Sequence, residues 1–205
     1  MMSARMLQIS GILIPITYIF MYLLGGAMRP AYSHISNSVS ELLSPGAPNR
    51  LPLMLIQMIY ALLHVLFGFG VLRFVLGEAS DQLIGRIGAS LIIALGVITI
   101  GTVLFPQDAE GSPATTVGLV HKILVFGGLI PFSVLSTLLI GLWLGRAALF
   151  PGFDVYSFAT VGAIIVMGAV GGVTVESQYA GLVERIAAIV SQQWLFVLGL
   201  MLLLR

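Results

Sequence analysis

The sequence predicts an all-α fold: an integral membrane bundle of six transmembrane helices, with a short amphipathic helix in the first loop. Three observations predict it. Only 8% of the 205 residues are charged and 59% are hydrophobic, where a soluble domain carries about 25% charged residues. Mean hydropathy is +1.09, so the chain cannot cover its own surface with polar groups, and lipid is the solvent for most of it. The charges are also spaced. Charge-free stretches run over 6–28, 51–72, 87–107, 123–145, 155–175 and 186–204, each near the ~20 residues that cross a hydrocarbon core. Backbone amides in lipid must be satisfied within the segment, which makes each stretch a helix rather than a lone strand.

The six helices are placed near 7–28, 51–75, 85–105, 117–145, 156–175 and 181–204, in one domain spanning 1–205. The first resembles a secretory signal, with Arg5 before it and Gly25, Gly26 and Ala27 near its end. Its apolar run exceeds the ~7–15 residues of a signal core and five more spans follow, so it is read as a retained helix. Pro15 and Pro131 are expected to kink helices 1 and 4, because each removes a backbone donor. Ser112-Pro113 reads as the N-cap and first residue of helix 4. The pairs Gly141/Gly145 and Gly168/Gly172 have the small-xxx-small spacing of helix contacts in lipid. "GFGVLR" at 68–73 lacks the third glycine of a nucleotide loop and lies inside a span.

With six spans both termini share one face, and loops 1, 3 and 5 share the other. That second face collects His34, Glu41, Asp108, Glu110, His121, Glu176, Glu184 and Arg185. Basic residues favour the cytoplasm. Arg5, Arg73, Arg86, Arg146 and Arg205 on the terminal face outnumber Arg29, Arg50, Lys122 and Arg185 on the loop face. The expectation is a multi-pass protein of the plasma (inner) membrane with cytoplasmic termini. Net charge is +1 with no basic run, so no nucleic-acid partner is expected. There is no cysteine, hence no disulfide, thiolate metal site or cysteine nucleophile. Homo-oligomerisation is left open.

Loop 1, "AYSHISNSVSELLSPGAPNR" at 31–50, breaks the oily pattern. Ile35, Val39, Leu42 and Leu43 fall on one helical face. Ser38 and Glu41 have capping-box spacing, and Ser44-Pro45-Gly46 stops the helix. The serines are expected to satisfy orphan amides at helix ends and turns. The apolar side should bury itself, making loop 1 a docked lid. Glu41 should then pair with an arginine, Arg185 first and Arg29 or Arg50 as alternatives, holding His34 over His121.

Tyr32-Ser33, Ser40-Glu41-Leu42, Gly46-Ala47-Pro48, Phe105-Pro106 with Asp108, and His121 together resemble the multi-spanning family catalogued as domain of unknown function 998. The resemblance covers essentially the whole chain and is most specific in loop 1. It implies a six-helix prokaryotic membrane protein and carries no activity with it. The membrane hydrolases with a Ser/Asp/three-His zinc site mix similar residue types. This chain has no late His-x-x-x-His pair, so their chemistry is not carried over.

Three functional readings follow. In the first, His121 and Glu184, each near the start of its helix, dip into the membrane boundary, where ionisable groups mark sites. With His34, Glu41, Asp108 and Arg185 they make a polar site that binds or processes a lipid or small amphiphile. A divalent metal there would take His34, Asp108 and His121 as ligands, with Glu41 or Glu184 as base, although the spacing matches no standard metal motif. In the second, Gln57, Tyr60, His64 and Gly68 lie along one face of helix 2, and Ser133, Ser136 and Thr137 line a face of helix 4 beside the Pro131 break. That is how transporters build mid-membrane sites. In the third, all these residues are caps and inter-helix glue of a structural or partner-binding protein. His64 lies too deep to join the loop residues in any of them.

Overall fold

The computed structural model describes residues 3–205. The order is α1 (Ala4–Ala27), a 3-10 turn (Ser40–Leu43), α2 (Arg50–Gly77), α3 (Leu83–Leu104), α4 (Thr116–Arg146), α5 (Phe153–Thr174) and α6 (Ala180–Leu204). All six helices are long and apolar enough to cross a membrane, and the described residues contain no strand. They pack as a ring in chain order, and α6 closes it on α1.

The ring has two cores. Towards the terminal face, Ile14, Phe67, Ile92, Trp143, Trp194 and Leu198 form a tight apolar centre. Trp194 Nε1 donates to Ser157 Oγ at 2.9 Å and joins α5 to α6. Ser157 Oγ in turn donates to the Phe153 carbonyl four residues back, the usual way a hydroxyl satisfies itself in a helix. Towards the loop face, the core is completed by loop 1. Val39, Leu42 and Leu43 pack with Tyr18, Met21 and Leu53. Leu42 is 1% exposed, and burying such a side chain stabilises by about 1.5–3 kcal/mol.

Three local expectations change on contact with the fold. Loop 1 forms a single 3-10 turn rather than an amphipathic helix, and Ile35 is exposed while Val39, Leu42 and Leu43 are buried. Turns over residues 31–37 aim Ile35 away, because its carbonyl accepts from Leu182 N on α6. The N-cap of α4 is Thr115, whose hydroxyl accepts from Gly118 N at 3.1 Å; Ser112 instead closes a turn on Ala109. Gly141 and Gly145 do receive a neighbour, since a Cβ on either would collide with Ser157 or Asp154 of α5, but Gly168 and Gly172 have open space around them. Helices α4 and α5 therefore meet at the terminal face and part towards the loops.

Pro131 leaves its mark as a π turn at Val125–Leu129, directly before it in α4. Proline gives no N–H to the preceding turn, and a wider turn relieves its ring. Pro15, by contrast, lies within an unbroken α1.

Candidate functional site

Loop 1 supplies its own scaffold. Ser38 and Glu41 form the reciprocal cap: Ser38 N donates to Glu41 Oε1 at 2.9 Å, and Glu41 N donates to Ser38 Oγ at 3.2 Å. Glu41 Oε2 accepts from Asn37 Nδ2 at 2.8 Å. Ser33 Oγ accepts from Ile35 N and Ser36 N, so the serines do hold turn amides.

The loop is then pinned by the first turns of α6. Val39 N donates to Glu184 Oε2 at 2.9 Å. Arg185, only 5% exposed, sends Nη1 to the carbonyls of His34 (2.8 Å), Asn37 (3.0 Å) and Gly181 (2.7 Å). Its Nη2 donates to the Tyr32 hydroxyl. The guanidinium also lies 5.2 Å from the Tyr22 ring centre and 5.5 Å from that of Tyr32, close enough for cation–π attraction. Hydrogen bonds from a charged donor contribute about 1.5–3 kcal/mol each, so Arg185 is the strongest single tie between loop 1 and the bundle. The approach requires a glycine: a Cβ at Gly181 would strike the Asn37 carbonyl.

The expected carboxylate–arginine pair is therefore absent. Arg185 binds loop carbonyls, Glu41 binds loop amides, and Arg29 reaches only the Glu41 carbonyl, at 3.4 Å. The physical reason is economy of partners. A tight loop exposes more N–H and C=O groups than water can reach, and charged side chains near it satisfy those first. An ion pair does form on the opposite face, between Arg205 and Glu78 at 2.7 Å.

His34 packs over Gly26, where a Cβ would collide with its ring, and edge-on to Tyr22 and Tyr32. Burial first, then the Arg185 charge, lowers His34 below the usual imidazole range. Burial pushes the Tyr32 hydroxyl up to about 12 against the opposing pull of Arg185.

Loop 3 is a separate construction. Asp108 accepts from Thr115 N (3.0 Å) and Thr115 Oγ1 (2.6 Å), and its carboxylate sits where a Cβ on Gly118 would be. It thus lies over the N-terminus of α4, which favours negative charge. The two Thr115 donors, hydroxyl first, hold its carboxyl below the ordinary range. His121 is buried and its Nδ1 bonds the Phe105 carbonyl at 2.9 Å, tying α4 to the end of α3. A carbonyl only accepts, so Nδ1 carries the proton.

The six residues expected from the sequence to share a site thus fall into two groups: His34, Glu41, Glu184 and Arg185 around loop 1, and Asp108 with His121 around loop 3. His34 does not close over His121. Among the described residues no three His, Asp or Glu side chains come together to hold a metal, and His34, Asp108 and His121 each serve different partners.

Of the mid-membrane residues, Ser133 and Ser136 bond carbonyls of their own helix. Helix 2 is different. His64 Nδ1 bonds the Tyr60 carbonyl at 3.1 Å, the two rings lie 4.6 Å apart, and the Tyr60 hydroxyl accepts from Gln192 Nε2 of α6 at 3.2 Å. Gln192, Tyr18 and Tyr22 do not stand out in the sequence. Tyr18 and Tyr22 are four residues apart, hence on one face of α1, and that spacing is the available signal.

Between loops 1 and 3 lies a cleft of about 340 Å³, bounded by Arg29, Glu41, residues 44–48 and residues 109–111. Neither the curated proteins nor the solved structures provide a match to this chain. The family model described as "Protein of unknown function (DUF998)" matches residues 12–201. That stretch takes in all of loop 1, loop 3 and the Glu184–Arg185 anchor, so the chain belongs to the DUF998 family.

Proposed function

We propose that this protein binds the headgroup of a membrane lipid, or a small amphiphile of the same chemistry, in the cleft between loops 1 and 3. The face opens outward, with both termini in the cytoplasm. One observation carries the reading: the cleft is bounded by Arg29 on the loop 1 side and Glu110 on the loop 3 side, at the level where the helices end. A zwitterionic headgroup matches that pair, phosphate towards the arginine and ammonium towards the carboxylate. Arg29 spends one long bond on the Glu41 carbonyl, and a guanidinium has five donors. Glu41 and Glu184 are already engaged by backbone amides, which favours binding over proton transfer. Arg29 also sits 5.8 Å from the Tyr32 ring centre, which steadies it for a ligand.

The test is lipid retention by the purified protein, measured by native mass spectrometry after exchange into phosphatidylethanolamine, phosphatidylglycerol or phosphatidylcholine. Arg29→Gln should weaken phosphatidylethanolamine retention by about tenfold, the loss of one charge-assisted contact. Glu110→Gln should reduce the preference for phosphatidylethanolamine over phosphatidylglycerol. Unchanged retention and preference in both variants would reject the cleft as the site. Reporter fusions at the two ends test the orientation; an external signal from both would invert it.

A further inference from the structure

Six buried side-chain polar atoms have no hydrogen-bond partner within the described protein, and four of them share one sector: His34 Nδ1, Arg185 Nε, Gln57 Oε1 and Gln192 Oε1. The sector is bounded by loop 1, α1, α2 and α6. Helices α2 and α6 both run inward from the loop face, so residue number measures depth. At 1.5 Å per residue, Arg185 lies roughly 8 Å below the start of α6 and Gln57 roughly 10 Å below that of α2. Tyr60 and Gln192 follow at roughly 15–18 Å, and His64 at roughly 21 Å. The Gln192–Tyr60 bond shows that the two depth scales agree. Aromatic rings connect the same levels: His34 to Tyr22, Tyr22 to Tyr18, Tyr18 to Tyr60, and Tyr60 to His64, with centres 4.6–5.8 Å apart.

We propose that these groups wall a one-ended water path, running from the loop face between α1, α2 and α6 to His64, where it stops on the apolar plug of Ile14, Phe67, Trp194 and Leu198. The orphans name the occupant. Gln57 Oε1 and Gln192 Oε1 need donors, while Arg185 Nε needs an acceptor. A cation satisfies only the first kind and is repelled by Arg185; an anion satisfies only the second. Water serves both, and a buried water normally makes about three such bonds. Turning either amide over exchanges which end is left bare but still leaves one. At His64 and below it the walls change character: Ile14, Phe67 and Trp194 are 0% exposed and Leu198 and Val71 are 1%, and such a centre excludes water.

The path gives His64 a role that packing alone does not. Its Nδ1 is committed to the Tyr60 carbonyl, which leaves Nε2 as the ring's acceptor. A proton carried along the water from the loop side reaches His64, and the plug keeps it from the other side. The titratable and charged groups facing the route are Glu184, Glu41, Arg185, His34 and Tyr32 at the mouth and Tyr22, Tyr18 and Tyr60 along it.

The chain lacks cysteine, so single cysteines report without background. Gln192→Cys in the path, Val71→Cys in the plug and the exposed Ser36→Cys in loop 1 would be placed in vesicles, with Ser36→Cys reporting which face is outside. The probe is silver ion, read as thiol lost in a later titration under denaturing conditions. With the loop face outward, Gln192→Cys should react within about tenfold of Ser36→Cys, and Val71→Cys at least roughly 100-fold more slowly, because a thiol reacts as the hydrated thiolate. Equal slowness of Gln192→Cys and Val71→Cys, or equal speed, overturns the proposal. The unsubstituted chain gives an independent reading. Magnetisation transfer from water to the Gln57 and Gln192 side-chain amides should be seen by solid-state NMR in lipid, and its absence at both overturns the proposal without any substitution.

Discussion

Loops 1 and 3 sit side by side on one face and carry the same residue types, yet they are held by opposite means. Loop 1 is part of the bundle's interior. Val39, Leu42 and Leu43 fill the core, and Arg185 and Glu184 reach up from α6 to bind its backbone. Loop 3 is a cap. Asp108 binds Thr115 at the start of α4, and residues 110–117 are all exposed. A histidine and a carboxylate close in sequence therefore say little about a site. Whether they face inward or serve a helix end depends on what the next helix brings to them.

The comparison breaks most sharply at Arg185. Arg185→Leu removes the fork that binds two loop carbonyls and the Tyr32 hydroxyl, and should destabilise by about 3 kcal/mol or more. In lipid nanodiscs it should expose residues 31–50 to added protease while leaving cleavage of loop 3 unchanged; Arg185→Lys should act in the same direction and less. Equal loosening of both loops would mean that they are one unit. Next is Gly181→Val, which drives a side chain into the Asn37 carbonyl. Overpacking of this kind costs about 1–3 kcal/mol, and thermal unfolding should show it alongside loop 1 cleavage. Asp108→Ala should do the reverse, freeing the Thr115 amide and hydroxyl at the start of α4 and speeding cleavage at loop 3 alone.

The smallest effect is that of pH. His34 has its folded pKa lowered, so the unfolded chain takes up a proton first as pH falls. Its contribution to stability is complete above the ordinary imidazole range near 6.5 and declines as pH drops below it. Loop 1 cleavage should rise by less than about tenfold between pH 7.5 and 5.5. His34→Gln should remove the His34 share of the dependence. Loop 3 should hold through this interval, because Asp108 titrates below it and loses its contribution only at more acid pH.

Much of this is legible in the sequence. Gaps between charges mark each span because lipid tolerates few ions, and the bounds differ only by the terminal turns, as at Phe153 and Gly77. The Ser38–Glu41 cap is legible because it is local. The partners of Glu184 and Arg185 are not, since they bind carbonyls and amides 145–151 residues away, and backbone groups carry no sequence signal. Gly168/Gly172 misleads for a related reason. The spacing permits a contact, but nothing packs against either glycine.

Amide hydrogen exchange on the unmodified protein in lipid, resolved to single residues, tests the division of the loop face most directly. Ser38, Val39 and Leu42 donate to Glu41, Glu184 and the Val39 carbonyl within a buried segment, so they should exchange as slowly as helix interiors. Glu110, Gly111 and Ala114 should exchange at close to the rate of an open chain, and Glu184→Gln should speed Val39 without affecting Thr115. Fast exchange throughout 37–43, at the rate of loop 3, would contradict the account.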